Sequence, residues 1–307
     1  DLAATPPHVV RTLLVGDAPM DVIFGGPSRS RAFVTTAHRG QNTADPRGDY
    51  VTEGVGRADV WVFDATNLGS ALGGIPLRIV TVFGDTPRAL ARSTDGTKVW
   101  VAIHHSGNRT TAIQKLFVCD GFSQTSGCVL PGGLVSSPGG VPGPAQNVEG
   151  FAAPEVGLIA QQGSDGQWRD VLGRIWNAGP LVGPHVRFNL PDLDVFELDA
   201  TTLAQTRAHA GVGTTLFNMA VNPVSGKLYV SNTDSKNLTQ FEGPGITGGS
   251  TVQGHLAEAR VTVIDGTSVL PRHLNKHLDY GVLAGEPGFD PTQRDHSLAS
   301  PLEMAVS

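Results

Sequence analysis

Short runs of alternating apolar and polar residues recur along the chain, separated by turn-forming residues. Three segments, at 19–42, 87–108 and 217–237, share one arrangement: a short apolar strand, a turn and a second alternating strand. Their turns contain GGPSRS, STDG and NPVSG, which are rich in residues that favour turn dihedral angles. The pattern predicts a β-hairpin that recurs three times.

A second hairpin follows each of the first ones. ADVWVFDAT (58–66), LDVFELDAT (193–201) and ARVTVIDGT (259–267) alternate and then end in Asp and a small residue; LRIVTVFGD, QTRAHAGVG and, more weakly, SVLPRHL follow them. Two consecutive hairpins make a four-stranded antiparallel sheet, which is the blade of a β-propeller. We therefore predict an all-β propeller fold, with residues 1–307 forming one incomplete propeller domain.

The two ends of the chain carry parts of further repeats. Residues 8–17 have the character of an outermost fourth strand, and residues 300–307 restate the opening strand FNMAVN. We therefore predict about three blades and the start of a fourth, within a ring of seven or eight. Three blades cannot close a ring, because propellers have four to eight, and an open set exposes sheet edges. A second polypeptide or a further C-terminal segment is expected to complete the ring.

Composition agrees with strands and tight turns. The chain has 39 glycines and 21 prolines, and only 16% of its residues are charged. The long spacing between the second and third hairpins predicts a loop-rich insertion at about 110–188, with one or two strands or a short helix. A net charge of −6 without a Lys/Arg cluster argues against nucleic acid as a partner. No window of roughly 18 apolar residues exists, so no membrane span is predicted.

The two cysteines are separated by eight residues in a segment rich in glycine and serine. Cys119 and Cys128 are too far apart in sequence for a typical zinc site, but their spacing permits a disulfide across a short loop. Two free thiols are the alternative. A loop disulfide favours an oxidising compartment. The first residues lack the pattern of a signal peptide, so the N-terminus is expected to be a mature end left by cleavage.

The repeat resembles the YVTN β-propeller family. KLYVSN at 227–232 is close to that family's signature, and KVWVAI at 98–103 and RAFVTTA at 31–37 are looser copies. HSGN, NLPDLDVFELDA, GHLAEARVTV and PRHLNKHLDYG look more narrowly like the propeller part of large bacterial secreted proteins that carry c-type cytochrome segments. The resemblance implies a periplasmic or secreted protein. No C-x-x-C-H haem motif occurs in this chain.

The loops after the second strand of each blade are polar, and three of their residues occupy equivalent positions. His38, His105 and Asp234 are therefore expected on one face of the ring. Imidazole and carboxylate groups that converge there would suit a divalent metal ion such as copper. Ordinary loop polarity and hydrogen bonds that cap turns are the alternative interpretation.

A second polar cluster contains His255 and Glu258 together with His273 and His277, which are spaced to share one face of a helix or strand. We include His255, His273 and His277 among the candidate metal ligands; an exposed or partner-facing loop is the alternative. Two acidic groups are candidates for calcium or, for the first, acid–base chemistry: Glu149 with Glu155, and Asp45 with Asp49 and Glu53.

No sequence motif identifies an enzyme. The nucleophile elbow, the P-loop and the dinucleotide-binding fingerprint are all absent. The sequence favours an extracytoplasmic binding or scaffold module within a larger protein linked to cytochrome c. A metal-dependent oxidoreductase with a histidine-rich site over the propeller channel is the alternative, and whether the chain is an enzyme stays open.

Overall fold

The computed structural model describes residues 3–37, 58–106, 108–113, 128–130, 133–135, 158–171, 173–176, 186, 193–238, 255–280, 282, 287–288 and 290–306. These residues form seventeen β-strands and two short 3-10 turns, Pro27–Arg29 and Pro291–His296, and contain no α-helix. The all-β prediction is confirmed.

Twelve of the strands make three antiparallel sheets of four strands each. Blade 1 has the order β1-β2-β3-β4, formed by Pro19–Gly25, Arg31–Thr36, Ala58–Asp64 and Pro76–Val82. Blade 2 contains β5 (Pro87–Arg92), β6 (Lys98–Ile103), β12 (Val195–Asp199) and β13 (Gln205–His209), in that order from one edge to the other. Blade 3 has the order β14-β15-β16-β17, formed by Thr215–Val221, Leu228–Ser235, Ala257–Asp265 and Ser268–His273.

The three sheets are stacked face to face as blades. One buried apolar cluster, with Phe33, Val62 and Phe196 at its centre, fills the space between blades 1 and 2. A second, with Trp100 and Val230, fills the space between blades 2 and 3. Neighbouring sheets contact each other mainly through their first strands, β1 with β5 and β5 with β14. The blades therefore fan out from an inner edge, as propeller blades do, and the described residues do not close a ring.

The blades repeat one another in detail. The innermost strand of each has an irregular register at its second or third residue, between Pro19 and Val22 in β1 and at the corresponding places in β5 and β14. In blade 1 the hydroxyl of Thr35 accepts a hydrogen bond from the Asp21 N–H at this bulge, and in blade 3 Ser231 does the same for Asn218, both at 3.1 Å. These hydroxyls lie at equivalent positions of the second strands.

The insertion between β6 and β12 contains more strand than the sequence suggests. The strands β7 (Thr110–Ile113), β10 (Leu158–Gln162) and β11 (Trp168–Arg169) form a three-stranded sheet, and β8 (Cys128–Leu130) pairs with β9 (Gly133–Val135). The three-stranded sheet packs around an apolar cluster of its own, which includes Trp168 and Trp176. Segments of the insertion therefore bury apolar surface independently of the blades.

The two end segments differ from expectation. Residues 8–17 form no strand; Leu13 makes a single bridge to Gly73, and Arg11 donates to the carbonyl of Gly69. Residues 300–306 are not a strand either. A strand is maintained by hydrogen bonds to a neighbour, and the described residues offer neither segment a sheet edge at the expected place. The weakly predicted strand SVLPRHL is confirmed as β17, an edge position where Pro271 is tolerated.

Candidate functional site

Two of the three polar residues that follow the second strand of a blade are described: His105, just after β6, and Asp234, near the end of β15. His105 is exposed and forms an isolated bridge with Thr215 at the start of blade 3. Asp234 lies within β15 and is half-buried. His38 lies outside the described residues, so its place relative to the other two stays a prediction.

A charged cluster surrounds Asp234 on blade 3. Arg260 lies between two carboxylates, at 2.9 Å from Asp234 Oδ2 and 3.1 Å from Glu258 Oε2. The ammonium group of Lys236 is 3.3 Å from Glu258 Oε1, which also lies 2.7 Å from His255 Nε2. Burial raises the pKa of Glu258, but the hydrogen bond from His255 and the charge of Lys236 outweigh it and hold that pKa at about 2. Glu258 is therefore ionised at any physiological pH.

Aromatic rings extend this cluster towards the end of β17. The imidazole of His255 stacks on Tyr280 with ring centroids 3.7 Å apart, and His273 lies 6.0 Å from the same ring. Burial lowers the pKa of His273 against the opposing charge of Glu258. The buried Nε2 atom of His273 has no hydrogen-bond partner in the part of the chain that the structure describes. The structure thus brings His255, His273 and Asp234 into one neighbourhood, through residues that the sequence did not connect.

The exposed ring of His277 makes a different contact: its Nε2 atom lies 3.1 Å from the carbonyl oxygen of Gln293. Within the part of the chain that the structure describes, no three His, Cys, Asp or Glu side chains are placed to hold a metal ion. The physical reason at blade 3 is that Arg260 and Lys236 already neutralise both carboxylates, and a metal ion would meet their positive charges. The metal site remains a prediction.

Several other candidates fall outside the described residues. Cys119, Glu149, Glu155, Asp45, Asp49 and Glu53 are all among them. The structure gives the backbone of Cys128 in β8, so the disulfide also stays a prediction.

Two charged residues with several polar contacts, Asp194 and Arg260, were not predicted from the sequence. Asp194 is fully buried and accepts hydrogen bonds from Val212 N at 2.6 Å, from Gly213 N at 3.3 Å and from the hydroxyl of Ser106. Arg260 organises the cluster on blade 3. Both residues hold the second position of the third-strand repeat, which reads Asp59, Asp194 and Arg260 in the three blades. Comparing the aligned repeats position by position would have exposed this change from acid to base.

The inner edge between blades 2 and 3 carries a further group of side chains. The imidazole of His104 lies 2.8 Å from the carbonyl oxygen of Leu216 through Nδ1 and 3.3 Å from Arg88 Nη1 through Nε2. Burial lowers the pKa of His104, and the charge of nearby Arg88 lowers it further. The rings of His105 and Phe217 lie 4.5 and 5.8 Å from that of His104.

Similarity to known proteins is found among solved structures. No protein family and no curated protein matches the chain. Among solved structures, hydrazine synthase of Kuenenia stuttgartiensis is similar over 85% of this chain and 56% of its own, with 15% identity and a TM-score of 0.29. The Sqt1 structure of Chaetomium thermophilum covers 87% of this chain and 81% of its own, with 16% identity and a TM-score of 0.14. In the described residues no helix has the length and apolar character needed to cross a membrane.

Proposed function

We propose that this chain is an extracytoplasmic binding or scaffold segment of a larger propeller, and that further blades cover both of its free faces. The propeller in turn supports c-type haem domains of the same redox protein or assembly. The observation that carries the proposal is a difference in burial between equivalent positions of the three blades.

The face of each blade that points towards the preceding one carries a row of four residues, one per strand. In blade 2 the row is Leu90, Val101, Phe196 and Ala208, and in blade 3 it is Met219, Val230, Thr262 and Pro271. Leu90 and Met219 are each 5% exposed, because the preceding blade covers them. In blade 1 the row consists of Val22, Val34, Trp61 and Ile79.

That row in blade 1 is more exposed than its equivalents in blades 2 and 3. Val22 is 56% exposed, and Val34, Trp61 and Ile79 are half-buried. The indole N–H of Trp61 is buried but has no acceptor among the described residues. An apolar row with an unused donor matches the surface that blades 2 and 3 present to a preceding blade, and a carbonyl of that blade would accept the Trp61 N–H.

The opposite face of blade 3 is uncovered in the same way. Its central row runs through Ala220, Tyr229, Val263 and Leu270, of which Leu270 is 37% exposed. The equivalent residues of blade 2, Ala91 and Trp100, are buried against blade 3. Two apolar faces at opposite ends of a fan support blades on either side, from the same polypeptide or from a second one.

The link to cytochrome c and the extracytoplasmic location draw their support from the sequence, through its resemblance to secreted propellers with haem segments and its pair of cysteines. The metal-dependent alternative gains nothing from the described side chains, since none of them assemble into a ligand set.

The test is to isolate the native protein with an affinity tag on its own gene. Its intact mass and its absorption spectrum, before and after reduction with dithionite, would then be measured. We expect a particle heavier than the 32.1 kDa of this chain, with the absorption bands of c-type haem. A native 32.1 kDa monomer without haem would overturn the proposal.

A substitution pair tests the free face separately. In the 307-residue chain, Val22→Glu should cost less than about 1 kcal/mol of unfolding free energy, whereas Leu90→Glu should prevent folding, because it buries an unpaired charge. In the native particle, Val22→Glu should be as damaging as Leu90→Glu. Equal tolerance of Val22→Glu in both settings would show that no blade covers this face.

A further inference from the structure

Arg88, His104, His105 and Phe217 form a group at the inner edge of the fan, where His105 is exposed and the other three are half-buried. Arg88 is the bulge residue of β5, Phe217 is the bulge residue of β14, and the two histidines follow β6. The innermost strands of propeller blades line the central channel, so a completed ring would place this group at the mouth of that channel.

The protonation of His104 follows from its partners. A guanidinium group has only donors, so His104 Nε2 must accept from Arg88 Nη1, at 3.3 Å. His104 Nδ1 then carries the proton and donates to the Leu216 carbonyl, at 2.8 Å. His104 is therefore a neutral imidazole that holds the Arg88 head group in place without neutralising its charge.

The described residues use little of the hydrogen-bonding capacity of the Arg88 side chain. A guanidinium carries five N–H donors, and the contact with His104 accounts for one. Arg88 forms no ion pair with a described residue. By contrast, Arg260 on blade 3 is paired with two carboxylates, and Arg174 in the insertion is paired with the buried Asp170. A positioned, charged and largely unsatisfied guanidinium is the feature of an anion site.

We propose that Arg88 binds the carboxylate group of a small-molecule ligand at the channel mouth, with His105 as a second donor and Phe217 as an apolar wall. The planar fork of a guanidinium matches the two oxygens of a carboxylate, so the remaining N–H groups of Arg88 bind both. The exposed ring of His105, 4.5 Å from His104, supplies a donor from the solvent side. The Phe217 ring, 5.8 Å from that of His104, limits the site on the blade 3 side.

The experiment titrates the ¹³C,¹⁵N-labelled 307-residue chain with sodium acetate, and then with succinate, at constant ionic strength maintained by sodium chloride. The ring resonances of the histidines are followed by NMR. We expect saturable shifts of His104 and His105 that leave the buried His209 unchanged. Shifts that stay linear in acetate concentration, or that chloride reproduces, would overturn the proposal.

Substitutions assign the effect to the guanidinium. Arg88→Gln should weaken acetate binding about tenfold or more, because it removes the charge-assisted hydrogen bonds. Arg88→Lys keeps the charge but loses the fork, and should weaken binding by a smaller factor. Arg92→Gln, on the same strand, is the control and should leave the titration unchanged. Unaltered acetate affinity in folded Arg88→Gln protein would refute the site, and neither result bears on whether further blades complete the ring.

Discussion

The joint between blades 1 and 2 and the joint between blades 2 and 3 are built from the same repeat but held by different chemistry. At the first joint, the carboxylate of Asp21 accepts the Leu90 N–H at 2.8 Å, and the hydroxyl of Thr35 donates to the Arg88 carbonyl at 3.3 Å. Arg31 also donates to the Ala200 carbonyl and Arg92 to the Phe24 carbonyl, and these bonds surround a cluster of mainly valine, leucine and phenylalanine side chains. None of these hydrogen bonds depends on an imidazole.

The second joint depends on neutral imidazoles and a buried carboxylate. Asp194 accepts two N–H groups of the segment that connects the blades, at Val212 and Gly213. His104 bridges to Leu216 of blade 3, and His209, 4% exposed, is buried on the face of blade 2 that points towards blade 3. Burial lowers the pKa of both histidines. Among the described residues, the second joint therefore contains imidazoles that respond to mild acid, whereas the first joint contains none.

Among substitutions that separate the two joints, the largest effect is expected from Asp194→Ala. The substitution leaves the N–H groups of Val212 and Gly213 and the hydroxyl of Ser106 without this acceptor in a buried place, which should cost about 3 kcal/mol of unfolding free energy. Denaturant unfolding measures the loss, and amide hydrogen exchange at Val212 and Gly213 shows where it acts.

The matched control at the first joint is Asp21→Ala. Asp21 is only half-buried and accepts the N–H groups of Leu90 and Val22, so its loss should cost about 1 kcal/mol. Equal costs for the two substitutions, or faster exchange in blade 1 after Asp194→Ala, would contradict the difference between the joints.

A smaller effect is expected from replacing one glycine at each joint with alanine. A Cβ atom on Gly213 would lie 2.7 Å from Asn232 Cγ, and one on Gly84 would lie 2.5 Å from Ile103 Cδ1. Asn232 is fixed by hydrogen bonds to Val230 O and Thr262 Oγ1, whereas the buried Ile103 side chain is held by apolar packing alone. Gly213→Ala should therefore cost about 2 kcal/mol and Gly84→Ala about 1 kcal/mol. Thermal unfolding of both variants checks the order, and the reverse order would show that Asn232 yields more readily than Ile103.

The substitution with the smallest effect at neutral pH is His209→Val, which tests how the unfolding free energy depends on pH. Burial lowers the pKa of His209 in the folded protein. Just below pH 6.5 the folded protein therefore keeps this imidazole neutral, whereas the unfolded chain takes up a proton. Stability is therefore complete above pH 6.5 and falls as the pH decreases from there towards the folded pKa. Val80 holds the equivalent position in blade 1, so His209→Val should reduce this loss.

The reverse substitution sharpens the same test. Val80→His places an imidazole in blade 1 and should give the first joint a loss of stability in acid that it lacks. Unfolding free energies measured between pH 7.5 and pH 5 for both variants decide the matter. An unchanged slope in His209→Val would mean that His104 and His273 account for the acid response.

Most of the fold was predictable because alternation and turn residues are local signals. The three hairpins and the strands that follow them lie within a few residues of their predicted places. Asp64 and Asp199 cap the predicted turns by accepting the N–H groups of Thr66 and Thr201. Residues 8–17 were not predictable in this way. These residues do have the alternating pattern of a strand. A strand also requires a hydrogen-bonded neighbour, and a local pattern does not show whether one is present.

The site was less predictable, because repeat position fixes the strand but not the partner. Asp234 and His105 hold equivalent places, yet Asp234 is paired with Arg260. Arginine is not a metal ligand, so a pattern of metal-ligating residues points neither to Arg260 nor to Arg88. The neighbours of a side chain across two blades depend on the packing of strands far apart in sequence.

The insertion begins and ends at one point of blade 2. The Ile103 N–H donates to the Asp194 carbonyl at 2.8 Å, so the strands that precede and follow it are hydrogen-bonded neighbours. The blade itself holds the two ends together, and the closure entropy of the segment between them rises only slowly with its length, by about 0.6 kcal/mol for each doubling. Blade 2 is therefore a natural acceptor for foreign sequence: replacing the whole excursion with a tight turn, or with an unrelated domain, should leave the register of its strands unaltered.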